Sequence, residues 1–493
     1  MQTTDEQNKI IHCDLAPGQT LKVMAFAGTG KTTTLVEYTK KRPHLNFLYV
    51  AFNKSVQMEA AAKFPSNVTA RTSHALAFRV KGHPHKDRLV PGFRANMVME
   101  ALGLKQMEDA RFAMETLNTY LASADPKVTN RHIPGRARAF YRDRGQAMPD
   151  LVELANGLGR LMCRGGDERI GMLHDGYLKL YQLSHPRLNY DCILLDEAQD
   201  INPVTADLVL SQADPGVNPR PASIILVGDN HQQIYSFRGA RDTLENFRSN
   251  FTHYLTQSFR FDNNVARVAN MILDHYKGEK RPIRGTPVNR PTKPKWSPKS
   301  HTLIARTNAA LFDRAVQLYR KEKIAFMGGV TGYRLDSLRE VFYLLNHEKE
   351  KIKDPYLKGF DSFSDLKAYA RTVEDLELLS VCAVVEKYTS TIPKHVAGIK
   401  EKAVEPDRAA IVLTTAHKAK GLEWDNVLLL DDFTPLLRDD KLLEATGTDP
   451  DEYNLIYVAM TRARINLRFH KKSDIPAFIR LYQRMKKGEK QPS

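Results

Sequence analysis

Three short stretches gather side chains suited to phosphate chemistry. In "LKVMAFAGTGKTTTLVEY" an alternating apolar run gives way to a glycine turn and then to a helical pattern. Backbone N–H groups of Gly28, Thr29 and Gly30 can cradle phosphate at the helix N-terminus, where the dipole favours an anion. Lys31 then reaches the β- and γ-phosphates, the Thr32 hydroxyl is a ligand for Mg2+, and Ala27 and Thr33 flank the cradle. The strict pattern asks for glycine five residues before Gly30, where this chain has Ala25. "YDCILLDEAQD" supplies a second apolar run, ending in Asp196 and Glu197. Asp196 is placed to hold Mg2+, and Glu197 is the natural general base for an attacking water. Two acids opening a helix would also suit its dipole without any catalytic role; the glycine–lysine turn upstream favours catalysis. ATP and Mg2+ are the expected cofactors. Gln7 in "TTDEQNKII" has two readings, an amide that reads the adenine edge or the second half of a Thr4-x-x-Gln7 capping box. The third stretch, "VGDNHQQIYSFRGA", loads Asp229, Gln232, Gln233, Tyr235, Phe237 and Arg238 into one loop beyond an apolar run.

The elements that must position these groups read as an open, mostly parallel α/β fold. Apolar runs end repeatedly in chemically loaded loops: "LKVMAF", "NFLYVAF", "CILLDEA", "SIILVGD", "TLIAR", "AIVLTTA" and "NVLLLDD", with helical patterns between them. Ligands of such sheets sit outside the carboxyl ends of the strands, where these loops fall. Residues 81–185 and 331–404 break the alternation with helical spacing and read as insertions. The stretch 284–300, rich in proline and cations, reads as an exposed connector.

With 73 Lys and Arg against 57 Asp and Glu, the net charge of +16 points to a polyanionic partner, nucleic acid ahead of a membrane surface. Four dispersed cysteines form no metal-ligand spacing or disulfide framework, which fits a reducing compartment. No signal peptide is evident and no run approaches the roughly 20 apolar residues of a membrane span. A soluble cytoplasmic or nuclear protein with no membrane partner is expected. Single strands are bound by polar or cationic backbone contacts and aromatic platforms. Phe52, Asn53 and Lys54 follow one strand, Thr72 and His74 lie in "ARTSHALAF", and Thr415, His417 and Lys420 lie in "TTAHKAKGLEW". Each histidine could equally make a structural hydrogen bond, and Phe52, Phe237 and Trp424 could each be core residues.

Taken in order, "AGTGKT", "TSHALA", "DEAQD", "VGDNHQQIYSFRGA", "LTQSFRF", "TTAHKAKGLEWD" and "LIYVAMTRAR" resemble the helicase motifs of the UvrD/PcrA/Rep-like branch of superfamily 1. The wording is closest to the F-box DNA helicase subgroup, with no F-box segment ahead of the P-loop. The resemblance runs from Gln7 to about residue 470 and accommodates Ala25, since that branch often has alanine there. It implies two RecA-like P-loop NTPase lobes with ATP between them. The first would comprise 1–80 and 186–255 with 81–185 inserted. The second would comprise 256–330 and 405–480 with a short insertion at 331–404, followed by a basic tail, 481–493. It further implies that Gln7 and Phe259 hold adenine, that Glu423 approaches the ribose, and that Arg260 and Arg462 act as arginine fingers. Asp229 and Gln232 would face the γ-phosphate and water, Phe237 would stack on a base beside Arg238, and Tyr235 would lie between, packing more than touching. Gln233 has no assigned role. The family's last motif usually carries arginines where this chain has Tyr453 and Asn454, so one supporting contact is expected to be absent or made differently.

The implied activity is ATP-dependent, 3′→5′ movement on single-stranded DNA with separation of strands at single-strand/duplex junctions. RNA ranks second, because phosphate and stacking contacts largely ignore the sugar. Two other classes compete: a translocase that strips bound proteins or drives a partner, and a nucleic-acid-binding switch without hydrolysis. The sequence names no protein partner.

Overall fold

The computed structural model describes residues 3–234, 244, 247–286, 296–372, 376–445 and 448–488. The chain forms two compact units, Met1–Leu255 and Thr256–Ser493. In the first, strands β1 (Thr20–Ala25), β2 (Phe47–Ala51), β3 (Val68–Thr72), β4 (Cys192–Leu195), β5 (Ser223–Gly228) and β6 (Phe251–Leu255) form one sheet in the order β3-β2-β4-β5-β1-β6. Every pairing in it is parallel. Alternation along β2 shows why its sequence is apolar throughout. Phe47, Tyr49 and Ala51 join a core with Leu21, Val23 and Leu35, while Leu48 and Val50 join another with Ile193 and Leu226. The second core also takes in Leu117, Leu158 and Leu178 from helices Met107–Ala122, Leu151–Arg164 and His174–Leu183. The long segment between β3 and β4 is therefore docked on one sheet face by its apolar stripes.

In the second unit, β7 (His301–Ala305), β8 (Ile324–Phe326), β9 (Ile411–Thr415), β10 (Trp424–Leu429) and β11 (Ala463–Phe469) form a parallel sheet in the order β8-β9-β7-β10-β11. Helices between residues 335 and 402 pack on it through Leu338, Val341, Val385 and Val396, which share a core with Leu303, Ile324 and Leu413.

The apolar runs read from sequence match the interior strands of both sheets. The strands they miss, β3, β6, β8 and β11, are all sheet edges. "VTART", "FTHYL" and "ARINLRF" each leave residues partly or fully exposed, so they lack a continuous apolar signal, and "IAF" is only three residues long. Among the described residues no helix is long and apolar enough to cross a membrane.

Candidate nucleotide and nucleic-acid sites

The glycine turn sits between β1 and helix α2, which spans Lys31–Lys40 and is preceded by helix α1, Asp5–Ile11. Gly28 and Gly30 have φ of 74° and 77°, the left-handed region that a Cβ disfavours, so glycine is required at both. Thr29 Oγ1 donates to the Phe26 carbonyl at 2.9 Å and closes the turn. Ala25 is the buried last residue of β1, in register with Leu255, so the position where the strict pattern wants glycine is ordinary strand here. The Thr4–Gln7 capping box forms, and Gln7 Nε2 also donates to Thr34 Oγ1 in α2 at 3.2 Å. That second bond ties α1 to the phosphate-turn helix, a link the capping reading alone does not give.

Asp196, at the end of β4, accepts from the Thr32 hydroxyl at 3.2 Å and from Tyr49 Oη at 2.8 Å. Burial raises the Asp196 carboxyl above its usual range, with Glu197 beside it adding to the rise. The same burial, then Asp196, pushes up the Tyr49 phenol. Lys31 Nζ lies 3.1 Å from Glu197 Oε1. Burial alone would lower the Lys31 ammonium, but Glu197, Asp196 and Asp229 outweigh it and the net shift is upward. Glu197 itself has φ of 49°, a strained backbone for a side chain of its size, in the turn that aims its carboxylate at Lys31. A hydroxyl and a carboxylate are the oxygen donors Mg2+ prefers, and Mg2+ normally completes its shell with phosphate and water. Thr32 and Asp196 therefore fit that ion.

Gln199, which no local sequence pattern singles out, connects the rest. Fully buried, it donates from Nε2 to Glu197 Oε2 at 2.6 Å, while its Oε1 accepts the Asp229 N–H at 3.0 Å. Asp229 Oδ2 in turn accepts from Gln232 Nε2 at 2.7 Å. A continuous chain of contacts thus runs from Lys31 through Glu197, Gln199 and Asp229 to Gln232. Gly228, at the end of β5, leaves the room: a Cβ there would stand 2.3 Å from Gln199 Oε1. Gln199→Leu keeps the volume and removes both bonds. It is expected to lower ATP turnover about tenfold, the equivalent of one or two hydrogen bonds to charged or buried groups, with KM for ATP changing less than threefold. Steady-state kinetics that leave turnover unchanged would remove Gln199 from the chain. Tyr235, Phe237 and Arg238, further along the sequence, lie outside the described residues.

In the second unit, Arg260 Nε donates to Glu423 Oε2 at 2.8 Å and its Nη1 to the Thr461 carbonyl at 3.4 Å. Glu423 also meets Arg464, a residue not singled out from sequence, at 3.4 Å. Arg462 is fully buried, donating to the Val458 carbonyl at 2.8 Å, the Leu422 carbonyl at 3.3 Å and Thr461 Oγ1 at 3.0 Å. The structure thus gathers Arg260, Glu423 and the 461–464 segment. Phe259, by contrast, is exposed, as a stacking platform must be. Where arginines were expected, Tyr453 is buried and stacks on Tyr276 with ring centres 4.2 Å apart. One residue earlier, Glu452 accepts from Arg306 at 2.7 Å.

Three nucleic-acid candidates turn out to be helix N-caps at strand ends. Asn53 accepts the Val56 N–H, Thr72 the Ala75 N–H and Thr415 the Lys418 N–H. Asn53 follows β2, while Thr72 and Thr415 end β3 and β9, and such helix starts present N–H groups that suit phosphate. His74 makes the structural bond considered for it, to Asp175 Oδ1 at 3.0 Å. Phe52 and Lys54 are exposed; His417 and Lys420 are half-buried just past β9.

A glycine turn, lysine and paired strand-end acids on a parallel sheet define a P-loop nucleotide-binding protein. A family model described as an AAA domain matches residues 7–238, and one described as the UvrD-like helicase C-terminal domain matches residues 340–473. "F-box DNA helicase 1" of Gallus gallus is 37% identical, over 94% of this chain and 48% of its own length. "F-box DNA helicase protein 1" of Schizosaccharomyces pombe is 32% identical, over 94% of this chain and 57% of its own. "DNA helicase II" of Escherichia coli is 24% identical over 53% of this chain and 39% of its own. The chain is thus similar, over most of its length, to UvrD-like DNA helicases. It spans about half the length of the F-box relatives, 48% and 57%.

Proposed function

We propose that this chain is an ATP-dependent DNA helicase or translocase that moves 3′→5′ along single-stranded DNA. The observation that carries the reading is the unbroken contact chain Lys31–Glu197–Gln199–Asp229–Gln232, which joins the phosphate turn to the loop leading toward Phe237 and Arg238. In this reading the first unit binds the triphosphate through the 28–33 turn, and Lys31 meets the β- and γ-phosphates. Thr32 and Asp196 would hold Mg2+, which when bound neutralises phosphate charge. Glu197 takes a proton from the attacking water, and Gln232 senses the γ-phosphate. Gln7 and Phe259 hold adenine, Glu423 orients Arg260 besides approaching the ribose, and Arg260 and Arg462 deliver positive charge to the loose, anionic transition state. Phe52, Asn53, Lys54, Thr72, His74, Thr415, His417 and Lys420 are the residues proposed to meet the strand. The match to the UvrD-like helicase C-terminal domain and the helicase names of the relatives support this reading.

The test compares ATPase with and without single-stranded DNA, then strand displacement on duplexes with 3′ or 5′ tails. Stimulated turnover with unwinding from the 3′ tail is expected. Absence of stimulation would refute the motor, and displacement of a bound protein without unwinding would favour the stripping translocase.

A further inference from the structure

Three of the residues proposed to meet the strand, Thr415, His417 and Lys420, sit in or beside one very short helix, Ala416–Ala419. A single turn cannot hold itself by its own hydrogen bonds, since the cost of nucleation exceeds what one turn gains. Thr415 caps its start, and Ala416 and Ala419 are buried beneath it. One cap and two methyl groups leave the roll of so short a helix weakly fixed. Lys418, two residues before Lys420, supplies a further hold. Its N–H completes the Thr415 cap at 3.4 Å, while its side chain turns to a different segment. There Nζ donates to the Gly332 carbonyl at 2.8 Å and lies 3.8 Å over the ring of Tyr333. Burial pulls the ammonium below its usual range, as expected of a charge withdrawn from water, where a cation over a ring is worth most.

The anchor itself is rigid. Tyr333 is fully buried, its ring centre is 4.9 Å from that of Phe326, and its hydroxyl donates to the Met327 carbonyl at 2.9 Å. The next residue, Arg334, leads straight into helix Leu335–Leu345, one of those packed on the second sheet. Gly332 is not among the positive-φ glycines, so its backbone does not demand glycine. The close approach of Lys418 uses the space instead: a Cβ on Gly332 would stand 2.5 Å from Nζ. We infer that Lys418 is a positioning residue for strand binding, clamping the Thr415–Lys420 turn to the entrance of the 335–402 helices and so fixing how His417 and Lys420 are presented. An ammonium already committed to a carbonyl and a ring acts on the strand through the turn. The clamp also makes the 335–402 helices a determinant of strand affinity, because whatever shifts Tyr333 shifts the turn. The inference rests on the strand reading of His417 and Lys420 above.

The test measures the affinity of the full chain for a fluorescent oligo-dT strand, beside KM for ATP, in Lys418→Met, Lys418→Arg, Gly332→Ala and the Lys418→Met/Gly332→Ala pair. Methionine keeps the apolar stem and removes charge and donor. Alanine at 332 keeps the charge and pushes it off the carbonyl. Each is expected to weaken binding about fivefold, the scale of one cation over a ring, with KM for ATP within about twofold. The double variant should bind no more weakly than Lys418→Met, because both substitutions remove the same contact. Lys418→Arg, which keeps the cation over the ring, should bind like the unaltered chain. Weakening by Lys418→Met with Gly332→Ala unchanged or tighter would overturn the inference, since the ammonium would then act on phosphate directly. Unchanged affinity in both would overturn it too, as would a matching rise in KM for ATP, which marks a general loosening of the unit. Lys420→Ala leaves the clamp in place and reads the underlying assignment separately: unchanged affinity there would show that the turn does not meet the strand.

Discussion

Lys31→Ala is expected to reduce ATP hydrolysis by about 10³-fold, the scale on which a single charge stabilising a phosphoryl-transfer transition state acts, while single-stranded DNA binding stays within a few-fold. Three carboxylates, Glu197, Asp196 and Asp229, hold the ammonium charged in spite of its burial. In the proposed reading Lys31 enters the reaction as a cation and meets the β- and γ-phosphates. Alanine removes that charge and also strands Glu197 and Asp196 beside each other without the cation that offsets them. Some loss of thermal stability should follow, so the control is Lys31→Met, which keeps most of the side-chain volume. The check is turnover measured beside DNA affinity on protein with an unchanged circular-dichroism spectrum. Normal turnover would show that the 28–33 turn is only a helix cap, and equal loss of DNA binding on folded protein would show that Lys31 serves the nucleic acid as well as the nucleotide.

What could be read from the sequence divides along a physical line. Residues whose role is written in local spacing were legible: the positive-φ glycines of the turn, Lys31 and Thr32 opening α2, and Asp196 and Glu197 at the end of an apolar strand. The fully buried interior strands β2, β4 and β5 were legible for the same reason, since burial on both faces demands an unbroken apolar run. Gln199 and Arg464 were not. Each acts through a partner far away in sequence, Gln199 through Asp229 and Arg464 through Glu423 and Asp425, and no local pattern announces such a pairing. Asn53, Thr72 and Thr415 could have been recognised as N-caps, because each stands just before a short helix. The family motifs drew attention to nucleic acid instead, and the two roles are compatible, since a capped helix start still presents N–H donors. Tyr453 shows the opposite case. The departure from the usual arginine was visible in the sequence, but its replacement by a stack on Tyr276 depends on helix Asn263–Lys277 passing alongside, which only the fold reveals.

Glu197→Gln should separate binding from chemistry more cleanly than any other substitution. Glutamine preserves the shape and an oxygen able to accept from Gln199 Nε2, so the Glu197–Gln199–Asp229 path persists. The basic oxygen is lost, and a general base is worth about 10²–10⁴ in rate, so turnover should fall by about 10³. ATP should bind at least as tightly, for two reasons. One negative charge leaves the neighbourhood of the phosphates, and Lys31, which Glu197 now engages at 3.1 Å, becomes free to meet them. The combination of slow hydrolysis with undiminished ATP affinity is the signature of a lost base. It differs from Lys31→Ala, where ATP affinity should weaken along with the rate. Equilibrium binding of a fluorescent ATP analogue and single-turnover hydrolysis read the two quantities independently. A fall of less than tenfold in the single-turnover rate would mean that Glu197 orients Lys31 and Gln199 without taking the proton, and the base would then have to be sought elsewhere along the same chain, with Asp229 the next carboxylate in line.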